Sequence, residues 1–276
     1  MELTVQILQN PNESVDETMK SLDGLPVRVT KFNYGLDRSK LINDSAAKSN
    51  TDWQLYLDSS EVVVSGLDNL QLATSHIQLL QGEILTKPIR IWNKNQHKFK
   101  NPVFETIEGE SVFCDMIIYK KKNDVETGLE TWKKTKNLSV DYYYYQALTN
   151  LKHKKTKEFL NLAEYYLFNS KDIIKSTMLI YYMAFINQDI NNLIFCLSNH
   201  ILMAEFWCLL GDISFKNNQF MKAIAFYQNA MILGGRRLKE DKWPMHITKY
   251  KEYPEKIINE IKEIQNKSSS FTTTVT

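Results

Sequence analysis

The second half of the chain alternates long apolar-aromatic stretches with short polar joints, and this rhythm restricts the folds open to it. The joints lie at Lys152–Lys155, Asn187–Asp189 and Lys216–Gln219. Stretches of this length between polar joints are typical of antiparallel helices that pack in pairs. We therefore predict helical hairpins from Asp141 to Lys267.

One of these hairpins carries a repeat signature. The joints recur at about half of the roughly 34-residue period of tetratricopeptide repeats. The signature positions are Trp207, Leu210, Gly211, Ala223, Tyr227 and Ala230. Small residues let two helices approach closely, while large aromatic residues fill the space around the crossing. The earlier helix pairs have suitable lengths but few signature residues, so the prediction is a TPR-like helical architecture without a fixed repeat register.

The first half of the chain has a different texture, with short apolar runs separated by turn residues up to about Tyr119. Helices are expected within Asn12–Leu22 and over Ser39–Lys48, where apolar residues follow helical spacing or helix signals flank the segment. Strands are predicted at Leu3–Leu8, Val27–Lys31, Trp53–Leu57, Ile89–Trp92 and Val112–Tyr119. Strands that alternate with helices favour an α/β layer with parallel strands.

The charged segment Lys120–Thr135, interrupted by Gly128, separates the two textures. We predict an α/β domain over residues 1–122 and a helical domain over residues 123–267. The last residues, 268–276, are rich in Ser and Thr and are expected to be disordered.

Composition excludes several classes of partner. Lys and Arg number 34 against 32 Asp and Glu, a net charge of +2, so no overall field attracts nucleic acid or anionic lipid. The basic runs Lys120–Lys122 and Lys152–Lys155 are short, and we interpret them as solvated turns rather than phosphate-binding patches. The chain lacks the roughly 18 to 20 consecutive apolar residues of a membrane span. Met1 is followed by polar residues rather than an apolar leader, so we expect a cytoplasmic protein.

The segment Asp58–Glu61 follows the strand Trp53–Leu57 and is the main candidate site. Ligands of open α/β sheets bind beyond the carboxyl ends of the strands. Acidic and hydroxyl oxygens at such an end suit a hard divalent cation that also binds diphosphate. The alternative is that Asp58 and Ser59 only cap the next turn.

Four further segments follow one another along the chain: Phe32–Asn43, Asp52–Glu61, Arg90–Asn93 and Phe99–Glu105. They resemble segments of family 2 glycosyltransferases of the GT-A fold. Those proteins show an aromatic-Asn-Asp-Phe-Ser-x-Ala-Arg-Asn stretch, then Gly-Asp-Trp-x-Leu-x-Leu-Asp-Ala-Asp-Glu, then Arg-x-Phe-Arg and Phe-x-Gly-x-x-His-Glu. A subset of the family carries tetratricopeptide-like helices after the catalytic domain, as predicted here.

This resemblance implies a shortened GT-A-like domain that uses a nucleotide-sugar donor. The donor diphosphate would be held near Asn43 and Asp58, through Mn²⁺ or Mg²⁺ bound by Asp58 and Ser60. Glu105 would deprotonate the acceptor hydroxyl, with Glu61 as the second candidate for that base. Arg90 would stabilise the phosphate leaving group.

The departures from the family pattern point to a second hypothesis. Ser60 stands where the family has its second metal-binding Asp, Ile42 where it has Arg, and Phe104 where it has His. About one early strand-helix unit, with its Asp-Thr-Gly-Ser-type nucleotide grip, is missing. The chain is therefore either a diverged glycosyltransferase-like enzyme or a non-catalytic scaffold whose repeats bind a protein partner. In the scaffold reading, Arg236–Pro244 is the preferred docking surface.

Overall fold

The computed structural model describes residues 3–9, 13–22, 24–31, 37–66, 70, 72–81, 84–86, 88–99, 112–120, 129–130, 132–133, 138–238 and 241–272. Two compact units divide between Tyr166 and Leu167. The predicted domain limits, 1–122 and 123–267, remain a prediction, and the first helices of the helical region belong to the first compact unit.

The first unit is built around a mixed sheet. Its strands are β1 (Leu3–Gln9), β2 (Val27–Lys31), β3 (Trp53–Asp58), β4 (Glu61–Ser65), β5 (Ser75–Gln81), β6 (Ile84–Thr86), β7 (Ile89–Asn93) and β8 (Val112–Lys120). Neighbouring strands follow the order β2-β1-β3-β7-β5-β6, and β8 pairs with both β5 and β4. All five predicted strands are confirmed, whereas β4, β5 and β6 were not predicted.

Three strands of this sheet are parallel, as predicted. β1 lies between β2 and β3, with Val5 opposite Val27 and Leu8 opposite Asp58. The carboxyl ends of the three strands therefore meet at one edge. Beyond β3 the expectation of parallel strands is wrong for part of the sheet, since β7 is antiparallel to both β3 and β5.

Two short helices connect the parallel strands. Helix α1 (Asp16–Lys20) is shorter than the segment predicted for it, and helix α2 (Arg38–Ala47) begins where the Asp37 carboxylate accepts a 3.0 Å hydrogen bond from the Lys40 backbone N–H. Apolar residues of α2 and the sheet form one cluster: Leu8, Ile42, Ala46, Tyr56, Trp92 and Phe99. The helix thus covers the strand ends that carry the candidate site.

Strand β3 is buried along both faces. From Gln54 to Asp58 every side chain is buried, although apolar and polar types alternate. The buried Gln54 amide oxygen accepts a hydrogen bond of 2.6 Å from Gln6. Because the strand has no solvent-facing side, Tyr56 and Asp58 lie within the protein and not on its surface.

The helical hairpins are confirmed. The helices are α3 (Val140–Lys152), α4 (Thr156–Asn169), α5 (Ile173–Asn187), α6 (Ile190–Asn199), α7 (Ala204–Lys216), α8 (Phe220–Gly234) and α9 (Glu252–Thr272). The joints between them coincide with the polar joints of the sequence. The backbone of α9 is helical to Thr272, and disorder of the tail from residue 268 remains a prediction; residues 273–276 lie outside the described part of the chain.

The hairpin of α7 and α8 has the packing that its signature predicts. Ala223, Tyr227 and Ala230 are fully buried on one face of α8. A Cβ added to Gly211 would lie 2.7 Å from the Tyr227 ring, so the two helices can approach only because residue 211 has no side chain. The Tyr227 hydroxyl donates a 2.6 Å hydrogen bond to Asp212 and fixes the ring over the glycine.

Replacing Gly211 by Ala is expected to destabilise the protein by about 1–3 kcal/mol, because the new methyl group overlaps Tyr227. In an ordinary helix interior the same change stabilises by about 0.5–1 kcal/mol, so the sign of the effect is diagnostic. Urea unfolding measures it, with the exposed Lys222→Ala of the same hairpin as a control expected within about 0.5 kcal/mol of wild type. A neutral or stabilising Gly211→Ala would contradict this packing.

Candidate functional site

Asp58 ends strand β3 at the edge where the parallel strands finish. The turn Ser59–Ser60 follows it, and Glu61 begins β4. The turn is tied to its neighbours: the Ser59 N–H donates to the Leu8 carbonyl at 3.1 Å, and Thr18 donates to the Ser59 carbonyl at 2.9 Å. The two carboxylates are therefore held on a braced turn.

Three cationic side chains from distant segments surround these two carboxylates. Arg38 at the start of α2 donates to Asp58 Oδ1. Lys120 at the end of β8 donates to Asp58 Oδ2 at 2.8 Å and lies 3.5 Å from Glu61 Oε1. Arg90 of β7 donates to Glu61 Oε1 at 3.0 Å. We call Arg38, Asp58, Glu61, Arg90 and Lys120 the charge cluster.

Tyr56 links the parts of the charge cluster. Its hydroxyl donates to Asp58 Oδ1 at 2.6 Å and accepts a 2.6 Å hydrogen bond from Arg38. The Arg90 guanidinium carbon lies 4.4 Å from the centre of the Tyr56 ring, a cation–π distance. Tyr56 thus contacts Arg38 through its hydroxyl and Arg90 through its ring.

The charge cluster contains three cations and two carboxylates. Burial would raise the pKa of Asp58, but Arg38, Lys120 and Arg90 outweigh it and hold that pKa well below its usual value. Burial would likewise lower the pKa of Lys120, yet Asp58 and Glu61 raise it. The side chains of Arg38 and Lys120 keep 15% and 18% exposure, whereas the Glu61 side chain has none. The positive members of the cluster are therefore the ones that reach solvent.

Asp58, Glu61 and Arg90, all predicted site residues, are brought together here. Glu61 is fully buried and both of its oxygens accept hydrogen bonds, one of them 3.0 Å from the Asp58 N–H. The role of Glu61 as a general base stays a prediction. Ser60 lies half-buried in the turn. Glu105 lies outside the described residues, so its role stays a prediction.

Asn43 binds the backbone that follows β7. Its amide donates to the Phe99 carbonyl at 2.9 Å and accepts from the Phe99 N–H at 3.0 Å. Both polar groups of the side chain are thus used on the backbone that follows β7. Asn43 fixes the start of the segment that leads to Glu105, and donor binding by Asn43 remains a prediction.

Two members of the cluster were missed by sequence reasoning. Arg38 lies four residues before Ile42, so both lie on one side of α2. Lys120 was interpreted as part of a solvated turn, which is wrong, because it ends β8 opposite Glu61 and binds both carboxylates. The four-residue spacing of Arg38 and Ile42 is visible in the sequence. The contacts of Lys120 with Asp58 and Glu61 depend on the register in which β8 pairs with β4.

A divalent cation fits this arrangement poorly. Both oxygens of Asp58 already accept hydrogen bonds from protein cations, and such an ion takes about six or more oxygen ligands. Over the described parts of the chain, no three His, Cys, Asp or Glu side chains are grouped so that they could hold a metal ion. Metal binding by Asp58 and Ser60 therefore remains a prediction without a supporting contact.

The segment predicted as a docking surface, Arg236–Pro244, exposes Arg236, Leu238 and Lys242 but holds Arg237 within its own unit. Arg237 keeps only 4% side-chain exposure and donates to Asp241 at 2.8 Å and to the Pro244 carbonyl at 3.3 Å. It also binds the Tyr250 hydroxyl and the Trp243 carbonyl. Arg237 thus connects Asp241, Trp243, Pro244 and Tyr250 through hydrogen bonds, and these contacts occupy its guanidinium group.

Comparisons with solved structures return weak likenesses. Residues 1–349 of S. aureus TarS, solved in complex with UDP-GlcNAc, match with a TM-score of 0.34 and 12% identity over 91% of this chain and 89% of that one. MamA AMB-1 matches with a TM-score of 0.34 and 15% identity over 41% of this chain, spanning 66% of that one. MamA from Desulfovibrio magneticus RS-1 matches at 0.32 and 12% over 52% of this chain and 84% of that one.

These likenesses assign neither a family nor an activity to the chain. No family model matches it, and no curated protein matches it either. In the described parts of the chain, no helix is long and apolar enough to cross a membrane. What the chain itself provides is an α/β sheet with a charge cluster, followed by helical hairpins.

Replacing Asp58 by Asn is expected to destabilise the fold by about 3–5 kcal/mol, because it leaves buried cations without their partner. Chemical unfolding measures this loss. The exposed Asp44→Asn on α2 is the matched control and should stay within about 0.5 kcal/mol of wild type. Equal stability of the two variants would show that the cluster is not held as described.

The contribution of Asp58 also depends on pH. Its pKa is lower in the folded chain than the value of about 3.9 expected when unfolded. The stabilisation is therefore fully present above about pH 4 and is lost as pH falls through the native pKa. The stability gap between wild type and Asp58→Asn, measured by urea unfolding, should narrow from pH 7 to pH 3. A gap that stays constant or widens would contradict the lowered pKa.

Proposed function

We propose that the chain is a glycosyltransferase-like protein that binds the diphosphate of a nucleotide-sugar at the carboxyl edge of β1 and β3. The observation that carries this proposal is the position and sign of the charge cluster. It lies where open α/β sheets bind ligands, and the side chains through which it reaches solvent are cationic. Arg38 and Lys120 are its solvent-reaching members.

A diphosphate suits these side chains chemically. Guanidinium groups form paired hydrogen bonds with phosphate oxygens, and an ammonium group binds them as a point charge. Because Asp58 and Glu61 already hold the cations in place, little side-chain entropy is lost when an anion binds. In the free protein, the carboxylates of Asp58 and Glu61 compensate charge on Arg38, Arg90 and Lys120.

Sugar transfer itself needs a base that accepts the proton of the acceptor hydroxyl. Glu105 is our candidate for this base. Arg90 would act on the leaving group, either directly or through its contact with Glu61. In this scheme Asp58 and Glu61 organise the cations and do not take part in proton transfer.

A protein-binding role for the helical hairpins is the second candidate, favoured by one observation. Several large apolar side chains are about half exposed on α5 and α6, among them Phe185, Ile190, Ile194 and Phe195. Ile190 and Ile194 are four residues apart and lie on one face of α6. Exposed apolar patches of this kind mark interaction surfaces in many proteins.

Calorimetric titration with UDP and UDP-GlcNAc tests the proposal, with uridine as the ligand that lacks a diphosphate. We expect saturable binding of UDP and at least about tenfold weaker binding of uridine, because the diphosphate contacts the cations. Arg38→Gln should weaken UDP binding by about tenfold or more, since it removes a charged donor.

Lys40→Gln is the matched control for this titration, since Lys40 is exposed on the same helix. It should leave UDP affinity within about twofold of wild type. If neither UDP nor a nucleotide-sugar binds, the donor site does not exist. The helical hairpins would then be the functional part of the chain.

A further inference from the structure

The ammonium group of Lys120 occupies the side of Asp58 at which a metal ion would have to bind. Lys120 Nζ is 2.8 Å from Oδ2, and Arg38 binds Oδ1, so each carboxylate oxygen already binds a protein cation. Lys120 also reaches Glu61 Oε1 at 3.5 Å, which places one ammonium between the two carboxylates of the braced turn. A bridging cation would take this same position.

Strand register fixes Lys120 there. In the antiparallel pairing of β4 with β8, Glu61 lies directly opposite Lys120. Paired residues on neighbouring strands have Cβ atoms about 4.5–5.5 Å apart, so the side chain begins next to the turn. Lys120 is therefore held in the site by backbone pairing, and it cannot swing away without leaving Asp58 and Glu61 partly uncompensated.

A metal ion at Asp58 would face strong repulsion. It would lie beside the ammonium of Lys120 and the guanidinium of Arg38, with one carboxylate oxygen at most to bind it. Like charges a few ångströms apart in a partly buried site repel strongly, and the double charge of the metal ion doubles that repulsion. The charge cluster already contains the positive charge that a metal site would otherwise need.

We propose that Lys120, together with Arg38, replaces a divalent cation at this site, so that a nucleoside diphosphate binds without metal. The proposal rests on the proposed function, because it specifies how the same site binds its ligand. It departs from the metal-dependent binding that the family resemblance implies. Lys120 and Arg38 contact the diphosphate oxygens, while Asp58 orients both cations from behind.

The wild-type protein provides the first test. UDP is titrated calorimetrically in EDTA and, separately, with excess Mn²⁺. We expect dissociation constants within about threefold of each other, a difference below about 0.7 kcal/mol. Binding that requires Mn²⁺, or that tightens about tenfold or more with it, would overturn metal replacement and leave the donor site intact. Absence of UDP binding under both conditions would overturn the proposed function and this inference together.

Variants of Lys120 provide the second test. Lys120→Met should weaken UDP binding in EDTA by about tenfold or more, whereas Lys120→Arg, which keeps the charge, should bind within about threefold of wild type. Lys98→Met, at an exposed position after β7, is the matched control and should bind as wild type does. Wild-type affinity in Lys120→Met would overturn the role of Lys120. Circular dichroism checks that each variant folds, and if Lys120→Met does not, the comparison of EDTA with Mn²⁺ in wild type still decides.

Discussion

Two carboxylates buried side by side must be neutralised, and much of the first unit is arranged around that requirement. Asp58 and Glu61 lie three residues apart on one turn with at most 8% side-chain exposure. Uncompensated, each would cost several kcal/mol to bury. The compensating charges come from α2, β7 and β8, which are far apart in sequence. The cluster can therefore form only when these elements have all assembled, and its formation depends on the register of each.

The same arrangement explains why we expect the site to bind an anion. A fully buried ion pair offers no charge to a ligand, whereas in this cluster the side chains that reach solvent, Arg38 and Lys120, are cations. Tyr56 and Asp58 hold Arg38, and Glu61 holds Arg90 and Lys120. The acidic residues thus serve as the scaffold for a cationic surface, which reverses the role that a strand-end aspartate has when it binds metal.

The sequence predicts the local elements of this protein well and its long-range pairings poorly. Strands such as Trp53–Leu57 and the helical hairpins follow from apolar periodicity, and Asp58 stands out because it follows a strand. The strand Glu61–Ser65 was missed because it is short and pairs with β8, more than fifty residues later. Lys120 was misjudged for the same reason: beside two further lysines it resembles a solvated turn, and only the register opposite Glu61 shows its partners.

The contacts of Arg237 were also not predicted from the sequence. Arg237 belongs to a basic run, which favours a surface, yet Asp241 and the carbonyls of Trp243 and Pro244 bind it inside the fold. In contrast, Gly211 and Tyr227 were predicted correctly, since a contact between neighbouring helices of one hairpin is local enough for a sequence signature to record it. Charge clusters assembled from distant strands leave no comparable signature.

The central claim is that a protein ammonium group, and not a metal ion, lies between Asp58 and Glu61. The most direct test is a crystal structure of the chain grown with UDP and Mn²⁺, with anomalous diffraction measured at the manganese absorption edge. Our account predicts Lys120 Nζ within hydrogen-bond distance of Asp58, no anomalous peak beside it, and the diphosphate against Arg38 and Lys120. A manganese peak coordinated by Asp58, with Lys120 turned away, would contradict it.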